Sequence, residues 1–374
     1  MKKLAIVIAL IILVPSIAQA KDNDEPGPKV TQSTPRQFTQ TAVLPSAGGA
    51  ELTIVTTAGN EGQAKAAMSQ AFGHASTKAS ALMAEVSKVN AQPRKTPIAI
   101  SPELFSVLDS CRRFSIHTDS AFDITSAPKT EGFSNYFFAP NWRKLKLNKK
   151  KQTVTIKSDK LEIDPRTFGL VLRGFLADDI ITSLNKAGWN NVQIRISNVT
   201  RSTGRDIHTP WRIRMDAPTA AEAGKHAYRA YDYSVGDVAS AMISPRLFPQ
   251  GIVDPRTRTL VTDPAVINAI VFAKDASTAT AYAIATYAKS ATDAQRGANF
   301  ITARSEVKGI LIAPDGEVIT SAKFNMTKPT YAETKTLQKT KVATEKTEDT
   351  AEKTTDAAAQ KTEDETVTTT QKTK

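Results

Sequence analysis

The sequence predicts an α+β fold. Period-two runs such as residues 51–57 (ELTIVTT) and Val192–Ile196 predict strands, and long stretches such as residues 61–88 carry small and apolar residues at helical spacing. Strands and helices mix without a strict alternation, so a regular strand–helix–strand repeat is not expected. The chain is 40% hydrophobic over 374 residues, enough for one large domain or two medium ones with a real core.

The elements follow in order. Residues 1–20 read as a secretory signal peptide: Lys2 and Lys3 are its basic start, 4–14 its apolar run, and Ala18-Gln19-Ala20 its cleavage site. That implies a periplasmic location. Residues 21–48, rich in Pro, Gln, Thr and Ser, read as a linker, and 49–325 as the folded domain. Ser101-Pro102-Glu103 opens a helix, with serine as cap, proline at the first helical position and an acid in the first turn. From 141 to 163 the runs LKL, TVTI and LEI predict a hairpin or meander around the turn Asn148-Lys149-Lys150-Lys151. Residues 173–186 form an amphipathic helix stopped by Gly188. Residues 211–215 read as a strand, Asp275 as the cap of an alanine-rich helix over 276–290, and Val307–Ile312 with 317–320 as a closing hairpin. Residues 326–374 hold nine Lys, nine Asp and Glu and sixteen Thr, and are expected to be a disordered tail.

The net charge of +12 calls for an anionic partner: nucleic acid, a membrane surface or a phosphorylated small molecule. The tail contributes none of it and the leader +2, so the body carries +10. The lysine turn at 149–151 has no aromatic interleaving and reads as a solvated turn, so no nucleic acid is expected, and nothing specific supports membrane contact. The single cysteine, Cys111, excludes an intramolecular disulfide framework and cysteine-rich metal sites. No dinucleotide fingerprint, phosphate loop, zincin motif or nucleophile elbow is present, and the four histidines lack ligand spacing.

One short run stands out: Gly251-Ile252-Val253 followed by Asp254-Pro255-Arg256-Thr257. Other segments lie around it in a fixed order. These are Glu85–Asn90 (EVSKVN), Ser101–Leu104, Ser120–Thr125 (SAFDIT), Gly169 with Arg173–Asp178 (RGFLAD), Trp211-Arg212-Ile213 with Asp216-Ala217-Pro218, and Asp315–Val318 (DGEV). In this order the chain resembles the FAD:protein FMN transferase family over residues 45–324. The corresponding family segments are SELSRLN, the helix start, GAFDxT, GGIAKGYAVD, PWRVGIEDP, HIIDPRT and the closing DGEV hairpin.

That resemblance implies a domain of two lobes with a flavin site between them. It also implies FAD as ligand, magnesium on the pyrophosphate, and transfer of FMN to a Ser or Thr of a periplasmic acceptor protein. Carried over, Ala121, Phe122 and Asp123 would contact the flavin, as would Ile252, Asp254 and Thr257 on the flavin or substrate side. Arg173 replaces the lysine of KGYA beside Gly174, and the Leu176 carbonyl would stand where a backbone oxygen meets the metal. The sequence departs from the family where the chemistry lies. Gly251 replaces a histidine, Asn198–Ser202 (NVTRS) replaces the NAGGD turn, and the metal pair aligns with Thr280 and Ile284. Two readings follow: an FAD-binding flavin-transferase-like protein with a weakened transfer step, or an inactive fold serving as an envelope protein-binding or structural module.

Overall fold

The computed structural model describes residues 34–57, 60–126, 141–207, 209–216, 230–235, 237–247, 252–256, 260–261, 264–314 and 317–321. The expected leader and tail, Gly251 and Thr257 lie outside these residues.

The chain begins with strands β1 (Pro35–Leu44) and β2 (Gly48–Thr57), then helix α1 (Glu61–Ala91), β3 (Ile98–Ala99), α2 (Pro102–His117) and β4 (Thr125–Ser126). Strands β5 (Leu145–Asn148), β6 (Thr153–Ile156) and β7 (Glu162–Ile163) precede α3 (Pro165–Lys186). Next come β8 (Val192–Ile196), β9 (Val199–Thr203), β10 (Trp211–Asp216), β11 (Ala230–Val235), β12 (Ala239–Ile243), β13 (Ile252–Val253), β14 (Leu260–Val261) and β15 (Asn268–Ala273). Helices α4 (Ala276–Lys289) and α5 (Ala294–Thr302) lead to β16 (Val307–Ile312) and β17 (Val318–Thr320).

Eight strands form one sheet in the order β1-β2-β8-β9-β12-β15-β16-β17, and its neighbours pair antiparallel. Four helices lie along one face in matching order. Helix α1 meets β1 and β2, α3 meets β8 and β9, α4 meets β12 and β15, and α5 meets β16 and β17. The central strand β15 shows how the layers are built. Ala269, Val271 and Ala273 enter the large core under the helices. Ile270 and Phe272 enter a second core on the opposite face with Trp211 and Ile213 of β10. Period-two alternation thus fills both sides of a strand buried throughout.

Two boundaries differ from the sequence reading. Residues 35–44, expected to be linker, form β1, because Phe38 and Ala42 pack on the core while polar residues alternate outward. Helix α3 starts at Pro165 rather than 173. Asp164 caps it by accepting from the Arg166 and Thr167 amides, and its apolar residues, more numerous than one stripe holds, are buried. The expected caps of α2 and α4 are present. Ser101 Oγ accepts from Leu104 N at 3.1 Å, and Asp275 Oδ1 from Thr278 N at 2.7 Å.

Candidate functional site

The loop after α2 carries the Ser120–Thr125 motif, and residues remote in sequence hold it. Asn90 near the end of α1 clamps β7: its Nδ2 donates to Ile163 O at 2.8 Å, and its Oδ1 accepts from Ile163 N at 2.9 Å. Ile163 in turn pairs with Thr125. Glu85, one helical turn earlier, accepts from Ser101 Oγ at 2.7 Å and from Ser101 N, fixing the start of α2. So the EVSKVN segment positions both ends of the region leading into the loop.

Within the loop, Asp119 and Ser120 have φ of 54° and 61°, the left-handed region that disfavours ordinary side chains. The glycine of the resembled GAFDxT motif falls at Ser120, which takes this conformation with a side chain. Its hydroxyl accepts from Trp142 Nε1 at 3.1 Å and Arg143 NH1 at 3.2 Å. Ala121 and Phe122 are buried in the core, with Phe122 edge-on to Phe114. A ligand at these two residues would therefore meet backbone rather than side chain. Both oxygens of Asp123 are engaged. Oδ1 accepts from Thr125 N and Oγ1 at 2.8 Å each, and Oδ2 from Trp142 N at 2.9 Å. Burial nonetheless pushes its carboxyl up to about 6, against the lowering effect of those donors.

A second group of predicted residues lies where α3 crosses the start of α4. Gly174 lets the helices touch: a Cβ there would stand 2.6 Å from Ala276 O and 2.7 Å from Ser277 Cα. Asp178, one turn on, accepts from Ala276 N at 2.7 Å and Ser277 N at 2.9 Å. With Asp275 on Thr278 N, the first donors of α4 are already taken by carboxylates, so no free anion-binding helix end remains there. Burial pushes Asp178 up to about 6, with the neighbouring Asp275 charge acting in the same direction and the two amide bonds against it. Arg201 Nε lies 3.6 Å from Asp178. Arg173 donates through NH1 to Asn198, which in turn donates to Met242 O at 2.8 Å. The Arg173 Nε is buried without a hydrogen-bond partner. Burial lowers the pKa of this guanidinium, which nonetheless stays charged.

The Asp254 segment gathers with the first loop rather than with Arg173. Asp254 is buried and accepts from the backbone and the guanidinium of Arg256. Lys289, at the other end of α4, feels the charges of Arg256, Asp119, Arg304 and Asp254, and burial is the largest cause of its lowered pKa. Its Nζ is 3.8 Å from Asp119, to which Arg304 also bonds at 2.8 Å. The guanidinium of Arg304 lies over Phe300 at 3.8 Å. The predicted residues thus form two groups at the two ends of α4. A 14-residue helix is about 20 Å long. Asp123 and Asp254 belong to one end, and Arg173 with Gly174 to the other. Ile252 is placed by its backbone in β13, next to Asp254.

The aligned metal positions do not fit magnesium. Thr280 is wholly buried with its hydroxyl donating to Ala276 O at 2.7 Å, and Ile284 is a core residue without a donor atom. Among the described residues no group of three His, Cys, Asp or Glu side chains collects at one point. Sequence reasoning missed Trp142, Lys289 and Arg304. Their partners lie far away in the chain, and no local pattern marks them.

This arrangement can be set beside known proteins. The ApbE family matches residues 49–311, more than half of the chain. The chain belongs to the ApbE family. Its fold is similar to that of the flavin transferase ApbE from Vibrio cholerae, with a TM-score of 0.63 at 18% identity, covering 78% of this chain and 98% of that one. The flavinyl transferase ApbE of Pseudomonas stutzeri in its apo form gives 0.64 at 14% identity, covering 78% and 96%. The ApbE protein of Thermotoga maritima gives 0.61 at 16%, covering 77% and 97%. At these identities the likeness shows the fold, and with it the α+β class. No curated protein sequence matches the chain. Family membership gives the resemblance of the seven segments a common cause.

Proposed function

We propose that this chain is an exported, periplasmic, flavin-transferase-like protein that binds FAD, and that FMN transfer to a Ser or Thr of an acceptor protein is weak or lost in it. Membership of the ApbE family and the flavin transferases that share the fold support the flavin part. The observation that carries the binding claim is Arg173. Its buried Nε lacks a partner, and a pyrophosphate oxygen would satisfy it with a charge-assisted hydrogen bond. Asn198 holds NH1 and so fixes the plane of the guanidinium. Asp123 ties Thr125 to Trp142 and keeps the loop backbone in place for a flavin ring.

The weak transfer step follows from charge. Phosphoryl-type transfer depends on neutralising the moving group, and a metal supplies several kcal/mol of that stabilisation. Neither Thr280 nor Ile284 offers a free oxygen, and Arg173 provides one fixed positive charge in its place.

Titration of the chain with FAD, read by flavin fluorescence and calorimetry, tests the first claim. Saturable binding that falls at least tenfold in Arg173→Gln is expected, and absence of binding up to about 1 mM FAD (a Kd weaker than about −4 kcal/mol) overturns it. Incubation with FAD, magnesium and an acceptor protein, followed by intact mass, tests the second. Rapid stoichiometric addition of FMN would refute the reading of a weakened step.

A further inference from the structure

A cleft of about 790 Å³ opens between the outer face of α2 and the β5–β6 hairpin, and none of the residues predicted to bind flavin lines it. Helix α2 contributes Phe105, Asp109, Arg112 and Arg113 at spacings of four, three and one, which is a single helical face. The opposite wall brings Arg143, Lys146 and Lys149. Five cations therefore surround the opening, against one carboxylate. Asp109 is shared, bonding Arg112 at 2.9 Å and lying 3.4 Å from Arg113. Arg143 lies 4.7 Å from the centre of the Trp142 ring and donates to Ser120, and Asp123 behind it is already occupied by three donors. Lys146 and Lys149 make no ion pair among the described residues.

The floor is of opposite character. Phe105 and Leu145 are buried, Leu147 and Trp142 half-buried, and all four line the cleft. A volume of this size falls in the usual range of small-molecule sites, and its concavity does not suit a flat bilayer. An apolar floor under a rim of five cations that share one carboxylate selects a ligand with a flat apolar body and two or more negative charges.

We propose that this cleft is a second binding site, separate from the flavin site, for a phosphorylated nucleotide-class molecule carrying at least a diphosphate. The base would lie on the Phe105 and Trp142 side, and the phosphates among Arg112, Lys146 and Lys149. Lys149 then belongs to a recognition surface, not to a merely solvated turn. The proposal does not depend on the flavin reading.

Calorimetry of the full chain with ADP in about 50 mM salt tests it, with adenosine, pyrophosphate and vesicles of anionic phospholipid as separate arms. ADP should bind saturably, adenosine at least tenfold more weakly, and the affinity for ADP should fall steeply as salt rises. The exposed double substitution Lys146→Gln with Lys149→Gln leaves the core intact and should weaken ADP at least tenfold, whereas Lys65→Gln on α1 should change nothing. No ADP binding, or ADP binding undiminished in the double variant, overturns the proposal. So does adenosine or pyrophosphate binding as tightly as ADP, since that removes one half of the recognition. Binding to vesicles without binding to ADP would replace it with a membrane surface. ADP affinity that falls in Arg173→Gln as far as it does in the double variant would overturn the claim of a separate site, since Arg173 lies outside the cleft.

Discussion

Substituting Gly174 by alanine tests whether the contact between α3 and α4 sets the stability of the domain. The added Cβ would stand 2.6 Å from Ala276 O, 2.7 Å from Ser277 Cα and 2.8 Å from Ala276 C. All three are backbone atoms of the first turn of α4, which is held from both sides. Relief needs the helices to part by about 0.8 Å to restore ordinary contact. Parting them by that much stretches the bonds from Asp178 to Ala276 N and Ser277 N, now 2.7 and 2.9 Å, beyond hydrogen-bonding range. Overpacking of this kind costs about 1–3 kcal/mol. Losing two bonds to a largely desolvated carboxylate adds about 1–3 kcal/mol, and the better helix propensity of alanine returns about 1 kcal/mol. The expected net loss is about 1–5 kcal/mol. Urea denaturation followed by far-ultraviolet circular dichroism would show it as a lower midpoint with an unchanged slope. A variant as stable as the wild type, or more stable, would refute the argument. Gly174 would then be a helix-interior glycine that alanine improves, its place in the motif owing nothing to helix packing.

Two further outcomes follow from burial. Asp123 and Asp178, both pushed up to about 6 from an ordinary value near 4, bind protons more tightly in the folded than in the unfolded chain. Their contribution to stability is therefore greatest below pH 4 and is lost as pH rises through about 6. Denaturation midpoints of wild type minus the Asp123→Asn and Asp178→Asn variants, measured from pH 4 to 7, should show this slope, and a difference that is flat or rises with pH would refute it. Cys111 is wholly buried and its thiol is pushed far above the usual range, so it should resist a thiol reagent at pH 8 in the folded protein and react within minutes in denaturant. Fast labelling of the native chain, read by absorbance, would contradict the packing of α2.

The elements legible in the sequence are those whose signals are local. Ser101-Pro102-Glu103 and Asp275 announce their helices because a cap and the amides it serves lie within one turn. β2 and β8 announce themselves by alternation. β15 does not: its six residues are all buried, so its two faces read as one apolar run with no period to detect. β1 was hidden by composition, since Gln and Thr on its outward face look like linker until Phe38 and Ala42 find the core. At the site, the resembled motifs singled out segments, but not what each side chain does in the fold. Asp178 is a helix cap, Phe122 a core residue, and Asn90 a clamp on β7, each role being set by a partner at least 40 residues away or by packing.

The same long-range bonds make α4 the element that relates the two groups of predicted residues. Its first turn is gripped by Asp178 and touched by Gly174, and its last residue, Lys289, sits among Asp119, Arg256 and Arg304. Between these ends its residues from Ala276 to Ala288 are buried, apart from Thr278, and pack on β12 and β15. An elongated dinucleotide reaching from one end of α4 to the other would touch both groups, the pyrophosphate near Arg173 and the flavin near Asp123 and Asp254. A compact ligand could touch only one. The Arg173→Gln titration therefore reports on the pose as well as on the charge. Loss of affinity for FAD with unchanged affinity for riboflavin would favour the elongated pose, because riboflavin lacks phosphate and would use only the Asp123 end. Equal loss for both would mean that Arg173 acts through the fold, and the assignment of the pyrophosphate to that end of α4 would be wrong.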